Sequence, residues 1–216
     1  MNLREKWDRA SRAYNLVTFG EDLRQGDDKR SLFSRARDRT IFVAVGTGND
    51  IKFLPPGLDI VALDISPRMI ERARPRAARY DGRLELRVMD VQQLDYPDAT
   101  FDTAVTACTF CSVPDPVRGL RELYRVLKPG GRLLMFEHMR SNVPMIGLAL
   151  DAFTYVTRLI GPDMNRDTVG NVRRAGFRIA REQNVYFDIV RAIKARKPSS
   201  AGGQRAVDDP GARCPH

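Results

Sequence analysis

Histidine is almost missing from this 216-residue sequence, with only His138 and His216, and cysteine is nearly as rare, with three. A structural zinc site needs about four nitrogen or sulfur ligands, so no metal centre is expected. Three cysteines cannot all pair with one another, and the opening MNLREKWDRASR lacks the apolar core of a secretory signal. A reducing cytoplasm is therefore the expected compartment. No run of about 18 apolar residues exists, which argues against a transmembrane helix. No G-x-x-x-x-G-K-[ST] loop is present, so triphosphate chemistry is not expected. No five basic residues stand together, and no basic strip is interleaved with aromatics. The net charge of +9 therefore reads as a solvated surface, with arginines spread from Arg4 to Arg213, and nucleic acid is not the expected partner.

What is present describes a chain that folds. Hydrophobic residues make up 43% and charged residues 29%, a globular mix. Leu3, Trp7, Ala10 and Tyr14 fall at helical spacing and predict an amphipathic helix over residues 2–15. A polar stretch from Gly20 to Arg30 follows, then a short helical pattern at Leu32, Phe33 and Ala36. Residues 1–39 thus read as a helical cover.

From residue 40 strands and helices alternate. Strands are predicted at Ile41–Val45, Leu58–Leu63, Leu84–Val88, Phe101–Cys108 and Arg132–Glu137, with closing strands at Phe177–Ala180 and Val185–Ile193. Ser66-Pro67 and Asp115-Pro116 each supply an N-cap followed by a first-turn proline. Pro75 should end or kink its helix. Another helix is expected over Thr168–Ala175, and residues 145–160 are mostly apolar. The pattern predicts an α/β fold over residues 40–197, an open, mostly parallel seven-stranded sheet with helices on both faces. Residues 198–216 have the composition of a disordered tail.

Three signals fall at the carboxyl ends of successive strands, the edge where open α/β sheets bind ligands. Val45-Gly46-Thr47-Gly48-Asn49-Asp50 follows the first strand, and its glycines let backbone approach a ligand. It is not G-x-G-x-x-G, because residue 51 is isoleucine. Asp64 ends the second strand, where an acid can accept both hydroxyls of a ribose or simply cap the next helix. Asp90, beside Val91, follows the third and can accept from an adenine amino group or serve only as a turn residue. A glycine loop and two acids at this edge suit a nucleoside.

These segments, VGTGND, ALDISPRMIERA, the run from Met89-Asp90 to Phe101-Asp102 and LRELYRVLKPGGRLLMFEH, resemble class I S-adenosylmethionine (SAM)-dependent methyltransferases. The likeness is to the methyltransferase type 11, or ubiquinone/menaquinone methyltransferase-like, group with its Rossmann-like fold. KFLPPG, FCSVPDP and NRDTVGNVRRAGF also resemble small bacterial phospholipid N-methyltransferases and animal alkyl-thiol methyltransferases. The resemblance implies SAM as cofactor and S-adenosylhomocysteine as product. It places Gly46, Thr47 and Gly48 under the methionine and ribose, Asp64 on the ribose, Ile65 on the adenine, and Asp90 and Val91 at the adenine edge. Thr106, Ala107 and Cys108 would lie near the sulfonium. Phe42 stands where the family has an acid and Ala44 where it has a glycine; Asp50 is the candidate to replace the missing carboxylate.

Glu137 and His138, after the fifth strand, are the candidate catalytic bases, with Tyr14, Tyr155 and Tyr186 as further candidates for the acceptor pocket. Cys108 and Cys111 read as packing or pocket lining rather than as a redox pair. The apolar 144–160 segment and the N-terminal helix suggest a small hydrophobic or lipid-like acceptor, a phosphatidylethanolamine-type amine or an alkyl thiol, with peripheral membrane contact. The alternatives are a quinone-precursor C-methyltransferase, a nucleic-acid methyltransferase and a non-catalytic SAM-binding protein.

Overall fold

The computed structural model describes residues 3–12, 14, 20–141, 143–145, 148, 165–186 and 188–199. Phe153, Tyr155, most of the apolar 144–160 segment and nearly all of the 198–216 tail lie outside the described residues.

The strands are β1 (Arg39–Val43), β2 (Asp59–Asp64), β3 (Arg83–Val88), β4 (Phe101–Ala107), β5 (Leu127–His138), β6 (Arg178–Tyr186) and β7 (Val190–Arg196). They form one seven-stranded sheet in the order β3-β2-β1-β4-β5-β7-β6. The first five run parallel, and β7 is antiparallel to both β5 and β6. The Rossmann-like, mostly parallel sheet expected from the sequence is thus the one observed. The strand order reverses between β1 and β4, which opens a crevice at their carboxyl ends.

Central strands are buried on both faces, which explains their unbroken apolar runs. On one face Ile41, Val43, Val61 and Leu63 pack with Leu120 and Leu123 of α4 (Pro116–Val126) and Val172 of α5 (Thr168–Arg174). On the other, Phe42, Ile60, Ala62 and Phe136 pack with Leu32 and Phe33 of α2 (Glu21–Phe33) and with Ile70 and Ala73 of α3 (Pro67–Ala77). The amphipathic helix α1 (Leu3–Ala10) lies against α3. The predicted caps are present: Ser66 Oγ accepts from the Met69 amide at 3.1 Å and Asp115 Oδ1 from the Arg118 amide at 3.0 Å.

Four boundaries differ from the sequence reading. The polar stretch before Arg30 is helix α2, because its inward positions include Gly26 and Lys29, which no hydrophobic pattern reveals. Gly26 sits over the Phe53 ring, a position where a Cβ would lie 3.6 Å from it. Helix α3 continues two residues past Pro75. Strand β5 begins at Leu127 and absorbs Lys128-Pro129-Gly130-Gly131 through a register shift. The β6–β7 turn falls inside the predicted Val185–Ile193 strand. Here β6 is an edge strand, exposed and polar along Arg181–Asn184, so apolar alternation does not mark it.

Candidate functional site

At the carboxyl edge of the sheet lies a pocket open to solvent at its mouth. It spans the ends of β3, β2, β1 and β4. Asp90 and Val91 line it after β3, Asp64 and Ile65 after β2, Gly46 after β1, and Ala107 and Cys108 at β4. Seven of the residues expected to bind the cofactor therefore meet in one cavity.

Asp64 is the polar centre of this cavity. Its carboxylate accepts from the Gly46 amide at 3.0 Å and the Ser66 amide at 2.9 Å. Each oxygen keeps a lone pair for a further donor. Burial pushes its pKa up to about 6, against the lowering effect of those amides, and the nearby Asp8 carboxylate adds to the rise. Asp90 is less buried and accepts from the Gln92 amide at 2.8 Å and from its side chain.

The two glycines of the loop have separate duties, and both sit at positive φ, 56° and 83°. Gly46 bares its Cα toward the pocket, where an added Cβ would lie 3.7 Å from the Tyr14 ring. Gly48 faces the other way, where an added Cβ would lie 3.0 Å from Ile51 Cδ1 and 3.4 Å from the Ala73 Cα. Val45, Thr47, Gly48, Asp50 and Thr106 are not on the pocket wall. Val45 is in the core, and the Thr47 carbonyl accepts from Arg76 at 3.0 Å. Asp50 is paired with the buried Lys29 at 3.1 Å, which places it behind the loop rather than in the missing acid's role. Phe42 itself packs against Phe33, ring centroids 6.3 Å apart, in the core beneath α2.

Neither proposed base reaches the pocket wall. Glu137 is fully buried and serves as a bracket. It accepts from Thr106 Oγ at 2.8 Å and from the Thr109 and Phe110 amides at 3.1 Å each. These bonds fix the turn after β4, whose Thr109 and Ser112 do line the pocket. Burial pushes the Glu137 pKa up to about 7. His138, at the same strand end, pairs in register with Val190 of β7. Burial beside Glu137 also pushes the Cys111 thiol far up, so it stays protonated packing, while Cys108 lines the pocket.

Tyr14, a candidate for the acceptor pocket, lines the cavity with Leu3 and Trp7 of the same helical face. Sequence reasoning misses Met69, Met89 and Val113, which complete the wall. The cover is latched at Asp8, whose carboxylate accepts from Ser66 Oγ and from the Arg68 amide. Ser66 is thus held by α1 while it caps α3 and donates its own amide to Asp64. Tyr186 stands 54% exposed on β6, away from the pocket.

The residues present fit SAM. A buried carboxylate with spare lone pairs suits the ribose hydroxyls, Ile65 and Val91 offer apolar surface to the adenine, and bare backbone at Gly46 permits close approach.

Comparison with known proteins agrees with this geometry. The methyltransferase domain model matches residues 42–135. The chain is 30% identical to the demethylmenaquinone methyltransferase of Clavibacter sepedonicus, over 95% of this chain and 93% of that one. It is 35% identical to a phosphatidylethanolamine N-methyltransferase of Cereibacter sphaeroides, but over only 48% of this chain and 52% of that one. Among solved structures, a putative methyltransferase in complex with the Haloferax volcanii Trm112 activator superimposes with a TM-score of 0.73 at 17% identity, covering 91% of this chain and 98% of that one. With a full-length relative, a matching domain and a crevice shaped for the nucleoside, the chain belongs to the class I SAM-dependent methyltransferases, in the ubiquinone/menaquinone methyltransferase-like family.

Proposed function

We propose that this enzyme methylates a small hydrophobic or lipid-like acceptor, either an amine of the phosphatidylethanolamine type or an alkyl thiol. The observation that carries the reading is the division of the pocket. Its charged groups, Asp64 and Asp90, stand at the ends of β2 and β3, where the nucleoside would lie. The β4 end is built from Ala107, Cys108, Thr109, Ser112 and Val113, and Leu3, Trp7 and Tyr14 add apolar wall to the same cavity. Apolar walls with a few uncharged polar groups select an apolar ligand.

When bound, the cofactor supplies a methyl group on a positively charged sulfur. The chain's part is to position and to exclude water. Asp64 would accept from the ribose hydroxyls, Ile65 and Val91 would flank the adenine, and the turn held by Glu137 would shape the acceptor's seat. A neutral amine or a thiolate brings its own lone pair and asks little more of the protein once its proton has gone to solvent. The partial likeness to a phosphatidylethanolamine N-methyltransferase supports this reading.

Methylation of a quinone precursor at carbon is the second reading. It is favoured by the relative that matches almost the whole chain. A carbon acceptor needs a hydroxyl proton removed, and among the described residues the β4 end of the pocket supplies no carboxylate for it. Turnover with SAM on phosphatidylethanolamine, a long-chain thiol, a demethylated quinol and RNA separates these readings. Product from the amine or thiol alone supports the first. Product from the quinol alone replaces it with the second. Product from RNA, or none from any acceptor despite cofactor binding, removes both.

A further inference from the structure

The basic residues, dispersed along the sequence, are gathered by the fold. Helices α1 and α3 lie against each other. Residues 3–12 and 67–79 hold nine basic against three acidic residues, in a chain whose whole excess is +9. Arg68 and Arg72 are exposed one turn apart on α3, and exposed Arg79 follows the helix end. Arg9 and Arg12 of the α1 segment share a surface depression with Arg68, Glu5 and Asp8. This depression adjoins the cofactor pocket, since Leu3 and Trp7 of α1 and Met69 of α3 line that cavity.

A second observation comes from the far side of the crevice. Just past β5, the backbone of Val143 is tied to Ser141 Oγ at 3.1 Å. There Val143, Met145 and Leu148 are 48%, 78% and 61% exposed. The carboxyl edge of the sheet therefore carries arginines on one flank of the pocket and bare aliphatic side chains on the other.

We propose that this edge docks the enzyme on an anionic lipid bilayer. The arginines of α1 and α3 meet headgroup phosphates, Met145 and Leu148 enter the headgroup boundary, and the pocket mouth opens toward the membrane. The purpose of such docking rests on the lipid-like acceptor proposed above, whereas the charge and the exposed apolar residues do not. A bilayer fits better than a nucleic acid. Single-stranded nucleic acid would want aromatic platforms along the basic track, and aliphatic residues gain nothing from a phosphate backbone. They do gain from partial burial among acyl chains. Each basic residue near an anionic surface contributes about fivefold in affinity.

The full chain is sedimented with vesicles of phosphatidylcholine containing phosphatidylglycerol, and with vesicles of phosphatidylcholine alone. Binding is expected to the anionic vesicles only, weakening as salt rises. The triple variant Arg9→Gln, Arg68→Gln, Arg72→Gln should bind them about a hundredfold less tightly. Its affinity for S-adenosylhomocysteine in solution should match the parent's, which also shows that it is folded. Met145→Ser with Leu148→Ser should lose several-fold and leave a purely salt-dependent remainder. Equal binding to both vesicle types, or none to either, overturns the proposal. So does tight binding of a single-stranded RNA that the triple variant loses and the Met145/Leu148 variant keeps. Turnover of an acceptor held in neutral detergent micelles separates this proposal from the functional one. Turnover without vesicle binding refutes docking alone, and vesicle binding without turnover refutes the acceptor alone.

Discussion

Asp64 on the pocket wall and Glu137 behind it carry the same functional group. Both are buried at the carboxyl end of a parallel strand, and burial raises the pKa of each, to about 6 and about 7. Asp64 accepts one amide on each oxygen, from Gly46 and Ser66, and still lines the cavity. Glu137 spends both oxygens on Thr106, Thr109 and Phe110. Strand order does not separate them, since β2 and β5 each lie one strand from the crevice between β1 and β4. A carboxylate at a strand end is thus a binding group or a bracket according to how fully the neighbouring turn claims its oxygens.

The largest effect tests the bracket. Glu137→Ala leaves three donors in the interior without their acceptor, each costing about 1–3 kcal/mol. The melting temperature should fall by roughly 10 °C or more, and the variant could fail to fold. Glu137→Gln is the informative companion. Its amide can serve Thr106 and one of the two backbone amides but must present N–H to the other, so about 1–3 kcal/mol is lost. Methyl transfer should survive in this folded variant. A stable Glu137→Gln protein without activity would return Glu137 to the role of base.

The binding group comes next. Asp64→Asn should weaken S-adenosylhomocysteine binding roughly ten- to a hundredfold, the worth of a charge-assisted hydrogen bond, measured by calorimetry. The contrast lies between the readouts: both variants turn an N–H toward a buried backbone N–H and cost stability, whereas only Asp64→Asn should also weaken cofactor binding. Comparable effects of both variants on both readouts would erase the distinction.

Acidity sharpens the same contrast. Both carboxyls hold their proton more tightly folded than unfolded, so stability is greatest below the unfolded values. It declines as pH rises from about 4 toward 6 for Asp64 and toward 7 for Glu137. Each contributes a decline on the order of 3 kcal/mol, visible in urea midpoints taken along that range. Asp64→Asn should remove the lower part of the decline and Glu137→Gln the upper part. Cofactor affinity should move oppositely, rising as Asp64 ionises around pH 6, and this rise should vanish in Asp64→Asn alone.

Much of this arrangement is legible in the sequence, and the illegible part has a common cause. Asp64, Gly46 and Asp90 can be found because each follows an apolar strand directly, and a parallel sheet brings such positions to one edge. The caps at Ser66 and Asp115 are equally local. Glu137 is just as easily found, but its position at a strand end does not tell that Thr106, Thr109 and Phe110 claim its oxygens. Met69, Met89 and Val113 line the pocket with no local signal that marks them apart from ordinary core residues. The arginines of α1 and α3 lie some sixty positions apart and become one surface only when the two helices touch. Local chemistry can be read along the chain; adjacency between distant segments cannot.

The end of β1 offers the smallest and most delicate test. Ala44 follows this strand directly, lines the pocket beside Asp64 and takes φ of 53°. That left-handed conformation costs an L-residue about 1–2 kcal/mol, and the related family places glycine there. Ala44→Gly should relieve the strain, while the freer unfolded chain takes back about 0.4–1 kcal/mol. A net gain of about 0.5–1 kcal/mol remains, equal to a rise of one to a few degrees in melting temperature. The methyl group also faces the cavity, so its removal enlarges the space between Gly46 and Cys108 without touching either carboxylate. Cofactor affinity should therefore shift by less than that of Asp64→Asn. A fall in melting temperature would mean that the Ala44 methyl, packed against the core below α4, contributes more than the strain costs. The β1 end would then be a packed wall rather than a strained one.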